Sequence, residues 1–317
     1  MKKESRNRIR FLSPLFLVFV FAGCDISFNP KGDYTEKAVV YSILDPTKKT
    51  QFARVFRTYN VEGVDASQNT VDPQVRNASV LVFDERGQSY VFKDSLLKRD
   101  ATDRYATDIV LYYSNQLATT SGVHYRLEVT IPGFGKSTAE VTVPEPFIIF
   151  VNGGRARAVL ADSTNLCNCV QVSVFGGRGA KGQLTRFFVD FVVKKKGQKD
   201  VILRREVPLA QRRLADGSVV AVFPQPDRGT YMEFPLPIFL ELVGDVLHTD
   251  PGAEITVGEA TFISYALDPS LYNYYLIAHG FGDPFSVRLD SPDFSNIQNG
   301  VGVFGALAVD SLTLPIR

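Results

Sequence analysis

Hydrophobic and polar residues alternate most regularly over residues 125–143, where apolar side chains occupy every second position. The apolar positions are Tyr125, Leu127, Val129, Ile131, Ala139, Val141 and Val143. Successive side chains of a strand face opposite sides, so period-two alternation is typical of a strand with one buried face. The glycine-containing segment at residues 132–135 interrupts the pattern. The sequence therefore predicts a β-hairpin packed against a core.

Shorter apolar runs on both sides of this hairpin predict further strands. They lie at residues 38–44, 52–59, 80–83, 90–92, 147–150, 170–174, 187–193 and 201–203. Residues 84–88, with Gly87, form a predicted hairpin turn, and the lysine-rich residues 194–199 form a second, solvated one. Pro144 and Pro146 end the ladder of residues 125–143, because proline has no N–H to donate. We place a domain boundary there, between β-rich residues 37–146 and 147–317.

Two short helices are predicted in the second half. One covers residues 236–247, with Pro237 limiting its start. The other follows Asp268 as N-cap and Pro269 as first helical residue, and Gly280 ends it. One broad face of this helix carries Leu271, Tyr272, Tyr275, Leu276 and His279. The chain is expected to be all-β with minor α content.

The N-terminal residues have the layout of a secretory signal. Five basic residues in the first ten precede an apolar run at residues 15–22, which is shorter than the roughly 20 residues of a membrane-spanning helix. Residues 21–24, Phe-Ala-Gly-Cys, resemble the bacterial lipobox, in which two small residues precede an obligatory cysteine. The resemblance implies cleavage after residue 23, acyl chains such as palmitate on Cys24, and attachment to a membrane. Residues 24–36 then serve as the lipidated tether.

The amino-acid composition limits the classes of partner that the chain is expected to bind. The chain has 35 Lys plus Arg against 34 Asp plus Glu, so its net charge of +1 argues against a nucleic-acid partner. Hydrophobic residues make up 45% of the chain, which is enough for substantial cores. No apolar run after residue 24 is long enough to predict a transmembrane helix.

Cys167 and Cys169 are the other two cysteines. Residues two apart in a regular strand lie near the upper Cα separation for a disulfide, about 6.8 Å. A local bridge therefore needs a bend, which Asn165 and Asn168 favour. A disulfide is the preferred interpretation, with free thiols or metal ligation as alternatives, although two sulfurs alone do not close a zinc site.

No catalytic, cofactor-binding or metal-binding motif is present. The segment at residues 133–138, Gly-Phe-Gly-Lys-Ser-Thr, lacks the earlier glycine of a phosphate-binding loop, because Thr130 stands at that position. The three histidines, His124, His248 and His279, are not spaced as metal ligands.

A ligand or partner surface is predicted near the C-terminus from Tyr272, Tyr274, Asp283, Asp290 and Asp293. Tyr272 and Tyr274 can form a stacking platform for a sugar or peptide, with packing of their helix onto a sheet as the alternative. The three aspartates do not match a calcium loop.

Several short motifs resemble one family. Near the C-terminus they are residues 282–286 (Gly-Asp-Pro-Phe-Ser), 295–297 (Ser-Asn-Ile) and 299–306 (Asn-Gly-Val-Gly-Val-Phe-Gly-Ala). Earlier ones are the lipobox, the Val39-Val40 strand, the Tyr125, Leu127, Val129 strand and the Val141, Val143, Pro144 exit. The chain thereby resembles bacterial envelope lipoproteins catalogued as domain of unknown function 4249. Independently, the glycines of residues 300–305 predict a strand that another backbone or a ligand approaches closely.

The resemblance implies an outer-membrane lipoprotein with an immunoglobulin-like N-terminal β-sandwich and a second β-rich, sandwich-like domain. Such proteins accompany TonB-dependent transporters and offer no catalytic residues to carry over. Asp25 follows the lipidated cysteine, and in some bacteria an acidic residue there retains lipoproteins at the inner membrane. The membrane and its face therefore stay open.

Three hypotheses follow for function. The first is a lipid-anchored, non-catalytic binding protein, accessory to an outer-membrane TonB-dependent transporter, whose small-molecule or polymer ligand the sequence does not specify. The second is a structural or adhesive cell-surface module. The third is a hydrolase in which folding brings two carboxylates about 5–10 Å apart in a cleft.

Overall fold

The computed structural model describes residues 34–61, 69–100, 103–156, 167–279 and 294–316. Two units are distinguished. One is Met1–Thr35 with Asn60–Gln68, whose described residues contain no helix or strand. The other is Glu36–Tyr59 with Asn69–Arg317, and it holds all the elements below.

The described residues form sixteen strands and two α-helices. The strands are β1 Ala38–Leu44, β2 Gln51–Arg57, β3 Ser79–Asp84, β4 Ser89–Leu97, β5 Ile109–Ser114, β6 His124–Ile131, β7 Gly135–Thr142, β8 Phe147–Val151, β9 Cys169–Gly176, β10 Gly182–Lys194, β11 Val201–Glu206, β12 Ala210–Arg213, β13 Val219–Val222, β14 Tyr231–Pro235, β15 Glu254–Leu267 and β16 Gly300–Pro315. The helices are α1 Leu236–His248 and α2 Pro269–His279. None of the described helices is long and apolar enough to span a membrane.

The first seven strands surround one hydrophobic core. The order within the large sheet is β11-β10-β15-β16-β1-β2-β5-β4-β3-β6-β7. Strand β4 pairs with β3 through its first half and with β5 through its second half, so it passes from one layer to the other. Alternate residues of β1, β2 and β5 meet those of β3, β6 and β7 in the core. The result is a two-layered sandwich.

A second core lies between the three-stranded sheet β14-β9-β8 and strands β10, β15 and β16. Its centre is Phe187, whose ring stacks on Phe262 at 4.4 Å between centroids and on Phe239 of α1 at 5.4 Å. Both partners are buried, so α1 closes this core through an aromatic contact.

Strand β16 contributes to both cores. Its first half pairs in parallel with β1, and its second half pairs antiparallel with β15. Phe304 packs in the first core, whereas Ala308 packs in the second. Gly302 has φ 113°, and a Cβ there would overlap the carbonyl oxygen of Val40, so only glycine fits this pairing. The predicted close approach of another backbone to this strand is therefore confirmed.

The predicted fold class is confirmed: the described part of the chain is all-β with two short helices. The hairpin of residues 125–143 is present as β6 and β7, with Gly133 and Gly135 at positive φ in its turn. Both helices are present, and Asp268 caps α2 as predicted. On α2, Leu271 and Tyr272 are buried, whereas Leu276 is 42% exposed.

Candidate functional site

The outer face of strands β1 and β2 carries large apolar side chains. Along β2, Ala53 and Val55 point into the first core, so Phe52 and Arg54 point outward. On β1 the outward residues include Tyr41 and Ile43. Phe52 is 47% exposed and Ile43 37% exposed, and this face is therefore apolar but incompletely covered.

Helix α2 stands beside this face because Asp268 ties it to β16. The Asp268 carboxylate accepts hydrogen bonds from the backbone N–H groups of Ser270 at 2.7 Å, Leu271 at 3.1 Å and Ala306 at 2.8 Å. Burial raises the pKa of Asp268, while these hydrogen bonds oppose the shift. A Cβ at Gly305 would lie 2.8 Å from Leu271 Cβ, so the glycine permits the close approach of helix and strand.

Between α2 and the outward side chains lies a cleft of about 590 Å³. Its volume falls within the roughly 300–1,000 Å³ of small-molecule sites. The lining residues are Tyr41, Ser42, Ile43, Asp45, Lys48, Thr50, Gln51, Phe52, Ala53, Arg54, Leu111, Tyr274 and Val303. The ring of Tyr274 meets that of Tyr41 edge to face, with centroids 5.9 Å apart.

Tyr41 gives the apolar floor a polar group. Burial raises the pKa of Tyr41, and the neighbouring Tyr274 raises it further. The phenol therefore stays protonated at neutral pH and retains an O–H that can donate a hydrogen bond.

The β1–β2 loop forms one rim of the cleft and is held by Gln51. The Gln51 amide nitrogen donates to the carbonyl oxygens of Asp45 at 2.8 Å and Lys48 at 2.9 Å, and its oxygen accepts from the N–H of Asp45 at 3.0 Å. Gln51 itself is 1% exposed. The rim is therefore built into the fold, which reduces the ordering cost of binding.

Arg54 supplies the positive charge at the other side of the cleft. Its guanidinium lies over the Phe56 ring, 4.7 Å from the centroid, and Nη2 donates to Gln74 Oε1 at 3.4 Å. Its Nε is buried and has no hydrogen-bond partner among the described residues. Burial lowers the pKa of Arg54, and nearby Arg99 lowers it further, while Asp72 acts in the opposite direction.

The model of the family described as domain of unknown function (DUF4249) matches residues 25–313. The chain belongs to this family. No curated protein matches the chain.

The structure of this DUF4249 member separates the two tyrosines of the predicted surface. Tyr274 lines the cleft, but Tyr272 is 4% exposed and packs with Leu267 and Leu271. Tyr272 therefore belongs to a core and offers no stacking platform. Asp283, Asp290, Asp293 and the predicted lipidation site Cys24 lie outside the described residues, as does the side chain of His279.

Cys167 and Cys169 of this DUF4249 member are joined by a disulfide, with their Cα atoms 5.2 Å apart. Asn168 between them has φ 50°, a left-handed conformation that Asn tolerates, and it supplies the bend that the short bridge needs. The side chain of Glu233 on β14 lies within 4.8 Å of the two sulfurs. In the bonded state neither sulfur is a thiolate, the form that ligates metals.

Tyr41, Phe52 and Arg54 were not predicted from the sequence as site residues. A signal was present, because the run at residues 38–44 is apolar at both parities except for Ser42. Such continuous runs are typical of strands covered on both faces. The outward residues of β1 could therefore have been recognised as needing a cover or a ligand.

Proposed function

We propose that this DUF4249 member is a lipid-anchored, non-catalytic binding protein of the bacterial envelope that works beside an outer-membrane TonB-dependent transporter. The cleft between α2 and strands β1 and β2 carries the proposal. It combines an apolar floor, a fixed rim and a few polar groups, which is the composition of small-molecule sites. The lipobox ending at Cys24 supports the anchor, and the family resemblance supports the transporter.

The cleft favours binding over hydrolysis. Among the described residues that line it, Asp45 is the one carboxylate. Asp45 Oδ1 accepts from the N–H of Thr47 at 2.8 Å and from its hydroxyl at 2.6 Å, so it stabilises its own turn. Carboxylate-based glycoside hydrolysis uses a pair about 5–10 Å apart. The lining residues do not offer that pair.

The experiment that tests the proposal is a pull-down of the tagged, full-length protein from gently solubilised native membranes, with identification of the recovered proteins. We expect a TonB-dependent transporter in stoichiometric amount. The Cys24→Ala variant should appear in the soluble fraction, because it lacks the acyl chains that hold the protein at the membrane.

Two outcomes would contradict the proposal. Recovery of the protein alone, or with surface polymer, would exclude the accessory role and favour a structural or adhesive module. A Cys24→Ala variant that stays membrane-bound would exclude the lipid anchor. Phe52→Ser serves as a comparison, since it opens the cleft without touching residue 24 and should leave membrane attachment unchanged.

A further inference from the structure

The Arg54 side chain stands apart from the other partly buried arginines of the described chain. Arg99, Arg126, Arg155 and Arg186 each form a salt bridge with a carboxylate. In the part of the chain that the structure describes, no carboxylate lies within 4.0 Å of the Arg54 guanidinium. A partly buried cation without a paired anion is costly, and it calls for a compensating group.

Asp72 acts electrostatically on Arg54 but does not supply that group, because its carboxylate is already engaged. Its Oδ2 accepts from Arg99 Nη2 at 2.9 Å, from Gln74 Nε2 at 2.6 Å and from the Thr107 hydroxyl. Asp103 lies 3.5 Å from Arg99 Nη1, so both of these carboxylates pair with Arg99. Arg54 is therefore left without a carboxylate partner of its own among the described residues.

Apolar side chains provide most of the exposed surface of the cleft, and three of them carry aromatic rings. Phe52, Tyr41 and Tyr274 present ring surfaces, and Val303 and Leu111 complete the lining on β16 and β5. Flat apolar bodies pack favourably on such rings by stacking or edge-to-face contact.

The opposite end of the cleft carries one acid, Asp45, and one exposed lysine, Lys48. Asp45 lies in the β1–β2 loop and donates its N–H to Gln51. Gln51 is three residues before Arg54 on β2, so the two are about 10 Å apart at roughly 3.3 Å per residue. Lys48, also on that rim, is solvent-exposed and binds an anion less firmly than a partly buried guanidinium. A ligand with one negative group therefore has a preferred orientation, with that group towards Arg54.

We infer that the cleft takes a flat, apolar small molecule with a single carboxylate, which the Arg54 guanidinium binds. This inference rests on the proposed binding function and specifies its ligand class. Within the described residues, Arg54 donates one long hydrogen bond, from Nη2 to Gln74, so its terminal nitrogens have donors available for a carboxylate. Charge-assisted arginine–carboxylate pairs are among the stronger polar contacts of proteins.

The experiment measures binding of 2-naphthoate and its neutral analogue 2-naphthamide to the full mature protein by titration calorimetry. We expect the carboxylate to bind about 10- to 100-fold more tightly, since a hydrogen bond to a charged group contributes about 1.5–3 kcal/mol and about 1.4 kcal/mol is a factor of ten. Arg54→Gln should remove this preference, and Arg54→Lys should keep part of it. Arg86→Gln, in the exposed turn between β3 and β4, should keep it fully.

A stability measurement separates recognition from a structural role. Because Arg54 lacks a paired carboxylate, Arg54→Gln should unfold at the same or a slightly higher temperature than the wild type. Equal binding of 2-naphthoate and 2-naphthamide, with loss of both in Phe52→Ser, would overturn the inference and leave the binding function standing. Binding of neither probe to the wild type would overturn the inference and remove the cleft as support for the binding function, which the pull-down then decides separately.

Discussion

Replacing Asp268 by alanine should destabilise the protein by about 3–4 kcal/mol, because three backbone N–H groups lose their acceptor at once. Hydrogen bonds to a charged group contribute about 1.5–3 kcal/mol each, and the cost of burying the carboxylate offsets part of that sum. Asp268 is 2% exposed, so water cannot replace the lost acceptor without local opening. The value exceeds the roughly 0.5–2 kcal/mol of an ordinary N-cap, because Asp268 also binds the N–H of Ala306 on β16.

Asp268→Asn is the informative companion variant. The Leu271 and Ala306 N–H groups both donate to Oδ1, which Asn retains, whereas Ser270 donates to Oδ2, which Asn replaces with a donor. The expected loss is therefore about 1–2 kcal/mol, corresponding to one hydrogen bond. Asp216→Ala is the matched control, since Asp216 accepts two hydrogen bonds from Ser218 in an exposed turn and its loss should leave the urea midpoint nearly unchanged.

Urea unfolding with a constant m value measures all three variants. If Asp268→Ala costs no more than Asp216→Ala, the carboxylate does not join α2 to β16 and the reasoning is wrong. The pH dependence gives a second check. Burial raises the pKa of Asp268 above its unfolded value of 3.8, so the part of its contribution that depends on ionisation is greatest below that pH and is lost as pH rises through the folded pKa. The advantage of the wild type over Asp268→Asn should therefore shrink as pH rises.

Three further predictions concern β16. Gly302→Ala should cost about 2–6 kcal/mol in urea unfolding, because it combines backbone strain with overlap of the Val40 backbone. Gly87→Ala, also at positive φ but with open space around it, should cost about 1–2 kcal/mol. Equal losses of stability in the two variants would contradict the close approach at Gly302. Hydrogen bonds from Arg155 and a backbone N–H outweigh the effect of burial and lower the pKa of Asp310. The destabilisation by Asp310→Asn should therefore be largest at neutral pH and vanish as pH falls below 3.8 through the folded pKa. A loss of stability that stays constant with pH would refute this. A fragment of residues 37–146 should show no cooperative thermal transition by circular dichroism, because it lacks β16, and a sharp transition would show that its core closes alone.

The features predicted from sequence are those that neighbouring residues determine. Period-two alternation defines β6 and β7, which pair through a short turn. The start of α2 follows from Asp268 and Pro269, where the cap and the fixed proline φ act within one helical turn. In each case the deciding contacts lie a few residues apart in the chain, so the pattern could be seen without knowledge of the fold.

The cleft could not be predicted because it depends on distant pairings. Its floor requires β1 to lie beside β16, with Val40 opposite Gly302 in parallel register. The availability of the Arg54 guanidinium for a ligand depends on what Asp72 binds, since an aspartate free to pair with Arg54 would compensate its charge. Glu233 is another such case, because the pairing of β14 with β9 brings it beside Cys167 and Cys169.

The path of β16 connects the stability of the fold to the geometry of the cleft. Strand β16 carries Phe304 into the first core, Val303 into the cleft lining and Ala308 into the second core. Because successive side chains of a strand face opposite sides, a one-residue slip of the β1–β16 pairing would exchange the residues of core and cleft. It would also move Gly302 away from Val40 and put a side chain against that carbonyl. The glycine that permits the parallel pairing therefore also fixes its register, and the core cannot close in this register without forming the cleft floor.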